Sequence, residues 1–183
     1  MPRKAATDRR AVIDAVMAII EESGFGAVSA RSVAARLNVS TQPIYREFAD
    51  MNEVRVAAIE RGFEIFEAYV FGEGAADDSA ARYVLFAAEH GNLFEFLFGS
   101  RHYEYDGLDD LAHKLYTAEI IDRLSAITGL PRERTYRLHL CVWMALHGLA
   151  SIASGNKLHV TEDEIKALVR EMTGALSAYY KEK

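Results

Sequence analysis

An all-α fold is what this sequence predicts, and three observations carry the prediction. Proline occurs only 3 times in 183 residues, while Ala, Leu, Glu and Arg are plentiful, a composition that favours helix throughout. Apolar residues recur at three- and four-residue spacing along most of the chain. Ser, Thr, Asp and Asn stand where those stretches begin, as helix caps do. The length suits one or two small domains with a real core.

The elements follow in order. Val12, Val16, Ile19 and Ile20 form the stripe of an amphipathic helix from about Thr7 to Ser23, with Thr7 as cap and Asp8 at its positive end. Gly24 ends it, and Phe25 is placed to fold back on the core. Ser29 caps a short second helix, ARSVAARL, whose inner face is Val33, Ala34 and Leu37. Asn38 tolerates the left-handed conformation of a tight turn. Ser40 then caps a third helix with Pro43 in its first turn, where a missing N–H costs little. Two short helices joined in this way are a helix-turn-helix signature. Asp50 caps a long helix to about Phe71, roughly 30 Å at 1.5 Å per residue. The loop GEGAADDS follows, and helices are expected at about 79–90, 92–99, 107–128, 131–154 and 161–181. Pro131 opens the fourth of these, and Thr161 with Glu164 forms a capping box for the last.

Charge is unevenly distributed. Residues 1–46 hold seven Lys/Arg against Asp8, Asp14, Glu21 and Glu22, a net of +3 in a chain whose net charge is −6. Phosphates respond to local rather than overall charge, so the basic end hints at an interacting arm. The one cysteine, Cys141, excludes an intramolecular disulfide and lies in the apolar run LCVWMAL, where a buried, inert thiol is expected. The longest apolar stretch, Leu140 to Ile152, is broken by His147 and Ser151. No membrane span and no signal peptide are expected, and the setting is read as cytoplasmic.

Taken in order, Arg10 to about Val56 resembles the TetR family of bacterial transcriptional regulators, with SGFGAVSARSVAARLNVSTQPIYREFADMNEV as its most specific part. WMALHGLAS, with Trp143, His147 and Gly148, is similar to a TetR subgroup with a Trp-His-Gly signature, and LFEFLFGSR is similar to another segment of that subgroup. The resemblance implies a DNA-binding head over residues 1–52 and a helical ligand-binding and dimerisation domain over 53–183. It makes Thr41 to Phe48 the recognition helix, laid in the major groove. Thr41 and Gln42 then lie at base edges, Pro43 against a thymine methyl, and Tyr45 and Arg46 at phosphates, with Ser40 also among the DNA-contacting residues. Arg31 is placed for a bidentate guanine contact, and Ile44 and Phe48 belong to the core. Many family members have His at the position of Glu47 and Lys at that of Met51, both phosphate contacts; here one residue is acidic and the other neutral. The Arg3–Arg10 arm and Arg46 are therefore expected to supply most of the electrostatic grip.

The resemblance also implies a mostly apolar effector pocket, for which Phe66, Phe86, Tyr103, Tyr116, Trp143 and His147 are the candidates. Leu138, Val142, Ala145, Leu149 and Ile152 stripe one late helix, and Ile165, Leu168, Val169, Met172 and Leu176 stripe the last. These two helices, with Gly148, Gly174 and Ala175 interleaved, suit a four-helix homodimer interface. The expected function is thus a ligand-responsive repressor on a palindromic DNA operator, with no cofactor and no catalytic residue. Two other readings stay open at this point: a helical interaction module whose head binds protein, and a metal-binding enzyme. The six histidines show no His-Glu-x-x-His or Cys/His ligand spacing, so no metal is expected.

Overall fold

The computed structural model describes residues 7–72, 79–99, 106–115, 118–155 and 158–182. These form α1 (Arg9–Ser23), α2 (Ala30–Arg36), α3 (Gln42–Glu47), α4 (Met51–Phe71), α5 (Ser79–Glu89), α6 (Gly91–Phe98), α7 (Leu108–Leu115), α8 (Ala118–Thr128), α9 (Arg132–Ser154) and α10 (Glu162–Lys181), with a 3-10 turn at Phe25–Ala27. No strand occurs among the described residues, so the all-α expectation holds.

Local chemistry explains most boundaries. Asp50 caps α4 by accepting from the Glu53 N–H at 2.8 Å, and Thr161 and Glu164 form the reciprocal box that starts α10. Ser29 caps α2, with Ser32 completing a box. α2 ends in a Schellman motif, with Val39 N–H on the Ala34 carbonyl and Asn38 N–H on that of Ala35, and Asn38 takes the left-handed φ of 53°. Three expected starts move. Asp8, not Thr7, caps α1, because its extended backbone lets the carboxylate accept from the Ala11 N–H at 2.8 Å. Thr41, not Ser40, stands at the N-cap of α3; its own backbone is already helical, which leaves Ser40 exposed and too early to cap. Pro131 is itself the N-cap of α9, one residue before the first helical position.

The single helix expected over 107–128 is two. His113 on α7 lies over Tyr136 at 4.3 Å, while Ser125 on α8 donates to Thr135 at 2.9 Å. A continuous helix would hold positions 113 and 125 about 18 Å apart, yet they meet adjacent residues of α9. The junction between them lies outside the described residues. The expected loop Gly72–Ser79 falls largely outside the described residues.

One hydrophobic core runs from head to body. In the head Val12, Val16, Ile20, Val33, Ile44 and Phe48 close on one another; in the body α4, α5, α6 and α9 meet around Phe66, Phe86, Leu93, Leu97 and Leu138. α4 joins both, burying Val54 and Ala58 near the head and Phe66 and Val70 in the body. Gly62 leaves room on α4 for the α6 side chains: a Cβ there would stand 2.7 Å from Leu97 Cδ2. Cys141, expected in the core, is exposed. It shares the outward stripe of α9 with Met144 and Gly148, whereas Leu138, Val142 and Leu146 turn inward. Among the described residues no helix is long and apolar enough to cross a membrane.

Candidate DNA-binding surface and effector pocket

α3 is held by two inward anchors and leaves the rest of its surface outside. Ile44 is fully buried and Phe48 nearly so, while Gln42, Tyr45 and Arg46 are exposed and Thr41 and Pro43 half-buried. Tyr45 is 51% exposed, which removes it from the head core. Arg31 lies on the exposed side of α2. Among the described residues Arg31 and Arg46 carry no ion pair, so both guanidiniums are available to an outside partner. Arg36 is not: it makes a bidentate pair with Glu22, and its Nη2 stands 2.6 Å from Oε1.

Arg9 departs from the expected arm. Its guanidinium sits 4.2 Å from the centre of the Phe48 ring, donates to the Glu47 carbonyl at 3.1 Å and pairs with Glu53 at 2.8 Å. It locks α1 to the end of α3 and the start of α4, and is turned away from the role of a loose cationic contact. Sequence spacing of 38 and 44 residues hid this clasp. The Ala49 N–H, first, and then Arg9 hold the Glu53 carboxyl below its ordinary range. Arg10 leans toward Asp14 at 3.8 Å, and Arg3 and Lys4 lie outside the described residues. Glu47 is half-buried beside Arg46.

In the body, the six pocket candidates separate. Phe66 meets Phe63, Phe71, Tyr83, Phe86 and Phe98 edge to face at 5.0–6.4 Å, and Phe86 is fully buried. These rings pack edge to face on one another. Tyr103 and Tyr116 lie outside the described residues. Trp143 stacks on His147 at 4.7 Å, and His147 Nδ1 meets the Tyr83 hydroxyl at 2.8 Å. Burial lowers the His147 pKa, so the ring is neutral near pH 7. Tyr83, Phe94 and Phe98, all around His147, were not singled out from sequence; the available signal was the Tyr83–Phe86–His90 spacing, which puts three rings on one face of α5 and the residue that follows it, where they meet Phe66 and Tyr69 of α4.

His147, Phe94 and Phe98 open onto a groove of about 880 Å³ whose other wall is the Gly24–Gly26 turn of the head, with Arg55 of α4 and Glu95 of α6 at its sides. Head and body are clasped along this seam. His90 meets Glu21 at 2.9 Å, Asn92 donates to the Glu21 carbonyl at 2.9 Å, and Phe25 stacks on Phe96 at 4.7 Å.

Residues 77–176 match the family described as tetracyclin repressor-like, C-terminal domain, and residues 12–58 match the bacterial regulatory proteins of the tetR family. The chain belongs to the TetR family. A TetR-like transcriptional regulator from Rhodococcus sp. RHA1 has a crystal structure that superposes with a TM-score of 0.63 over 95% of this chain and 96% of that one. At 14% identity that likeness shows the shared fold alone. A search of curated proteins by sequence found no match. As a TetR-family member the protein is a DNA-binding transcriptional regulator, not an enzyme. Among the described residues no group of three or more His, Cys, Asp or Glu could hold a metal ion.

Proposed function

We propose that the protein is a repressor that binds a palindromic operator as a homodimer in the cytoplasm and is released by a small apolar or aromatic effector. The observation that carries the DNA reading is the presentation of α3, with Ile44 and Phe48 buried and Gln42, Tyr45 and Arg46 free on the outside. Thr41, Gln42 and Pro43 then face base edges, Ser40, Tyr45 and Arg46 the backbone, and Arg31 a guanine. We place the boundary between the DNA-binding and regulatory parts at residues 52 and 53, in the first turn of α4.

Dimerisation is supported by what α9 and α10 leave uncovered. Met144 (50%), Ile152 (53%) and Tyr179 (50%) are exposed, and a Cβ on Gly148 or Gly174 would touch nothing within 4 Å. Large apolar side chains beside small residues at open positions fit a second helix pair closely. A two-fold pair of heads then reads two half-sites one helical turn apart or a multiple of it. The test is selection of bound fragments from the source genome, followed by titration of the best fragment at two salt concentrations. A palindromic site whose affinity falls steeply with salt supports the reading; absence of any enriched site sinks it.

A further inference from the structure

We propose that the effector site is the groove at the seam between head and body, and that its occupant is an aromatic molecule bearing a carbonyl-type acceptor. The ring would lie on Phe94 and Phe98, with the acceptor at Nε2 of His147. The proposal rests on the effector-responsive reading above and assigns it a place and a ligand class.

Three observations support it. Among the described residues Phe66 and Phe86, two of the expected pocket residues, are buried and packed against other rings of the body. The seam holds about 880 Å³ between α6, α9 and the Gly24–Gly26 turn, within the range of small-molecule sites. A polar group on it is held in place: the Tyr83 hydroxyl and His147 Nδ1 share a hydrogen bond of 2.8 Å. Because a phenol O–H is a stronger donor than a neutral imidazole N–H, donation from Tyr83 is the favoured arrangement, which puts the ring proton on Nε2. Among the described residues Nε2 has no hydrogen-bond partner. A fixed N–H beside aromatic walls selects an acceptor on a flat apolar body. Arg55 and Glu95 stand on the same groove with opposite charge, so the lining does not choose between a carboxylate and a neutral carbonyl.

The location also supplies coupling. An occupant touches the head at Gly24 and Phe25 and the body at Phe94 and His147, beside the Glu21–His90 clasp. It therefore favours one head orientation over another, and operator affinity shifts by that preference.

The probes are 2-naphthoate, its methyl ester and naphthalene, titrated calorimetrically into the full-length protein. Either the acid or the ester, or both, should bind about tenfold tighter than naphthalene, the worth of one hydrogen bond; which of them does names the carboxylate or the neutral carbonyl. His147→Phe should bring the three probes together. Filling the groove from two of its helices, with Ser151→Phe on α9 or Glu95→Phe on α6, should weaken binding at least tenfold. Binding that survives both fillings overturns the location. A naphthalene affinity equal to the others, or a difference that survives His147→Phe, overturns the acceptor role, and failure of all three probes to bind overturns the ligand class. Operator titration with the bound probe separates the two readings: occupancy that leaves operator affinity unchanged sinks the effector reading while the site stands.

Discussion

The head and the α9–α10 face each leave one side of a helix uncovered, and what they leave uncovered differs in kind. α3 anchors itself with Ile44 and Phe48 and presents Gln42, Tyr45 and Arg46. α9 anchors itself with Leu138, Val142 and Leu146 and presents Cys141, Met144, Gly148 and Ile152. A polar, cationic surface is stable in water and ready for phosphate, whereas an apolar one with small residues is stable only when another surface dries it. The same amphipathic principle therefore yields two exposed faces of different chemistry. The interiors differ as well: mostly aliphatic around the single buried ring of Phe48 in the head, and in the body an aromatic cluster with a polar pair, Tyr83 and His147, at its edge.

The comparison breaks most sharply if the head's anchor is removed. Phe48→Ala deletes a ring buried against the head core and the seat of the Arg9 guanidinium. It should cost about 3–4 kcal/mol in chemical denaturation and abolish operator binding while the body stays folded. On the other face, Met144→Arg with Ile152→Arg puts two cations where an apolar partner is proposed; sedimentation should show monomer, with the folded monomer's circular dichroism retained.

Acid should find the body first. Burial pushes His139 down to about 4 from an ordinary 6.5 and lowers His147 in the same direction. Between those values the unfolded chain binds more protons than the folded one, so stability is full above pH 6.5 and falls as pH drops toward 4. The loss due to His139 should be on the order of 2 kcal/mol by pH 4.5, and urea midpoints of His139→Gln should show a shallower decline.

Smaller effects sharpen the reading of α3. Arg46→Ala should weaken the operator complex by about 1 kcal/mol and reduce the salt slope by roughly one counterion, read by anisotropy at several salt concentrations. Glu47→Gln removes the one carboxylate of α3 and should tighten binding by a few tenths of a kcal/mol to about 1 kcal/mol in the same assay. An unchanged affinity would place Glu47 away from the phosphates.

Most of the helices could be read from the chain because their limits are decided within a few residues. Asp50, Ser29, Thr161 with Glu164, and the left-handed Asn38 all act on backbone groups no more than four or five positions away. The misplaced caps at Thr7 and Ser40 are errors of one residue between neighbours of similar chemistry. The family could be read for a related reason: the head's motif is short and contiguous.

Tertiary structure decided the rest. The Arg9 clasp, the Glu21–His90 contact and the Tyr83–His147 pair join residues 44, 69 and 64 positions apart. No local preference encodes them. Packing turned Cys141 outward from an apolar run, because periodicity shows that a helix has faces but not which face a neighbour covers. Whether a cluster of aromatic residues lines a space or fills it depends on how closely four helices approach, and that distance exists only in the assembled fold.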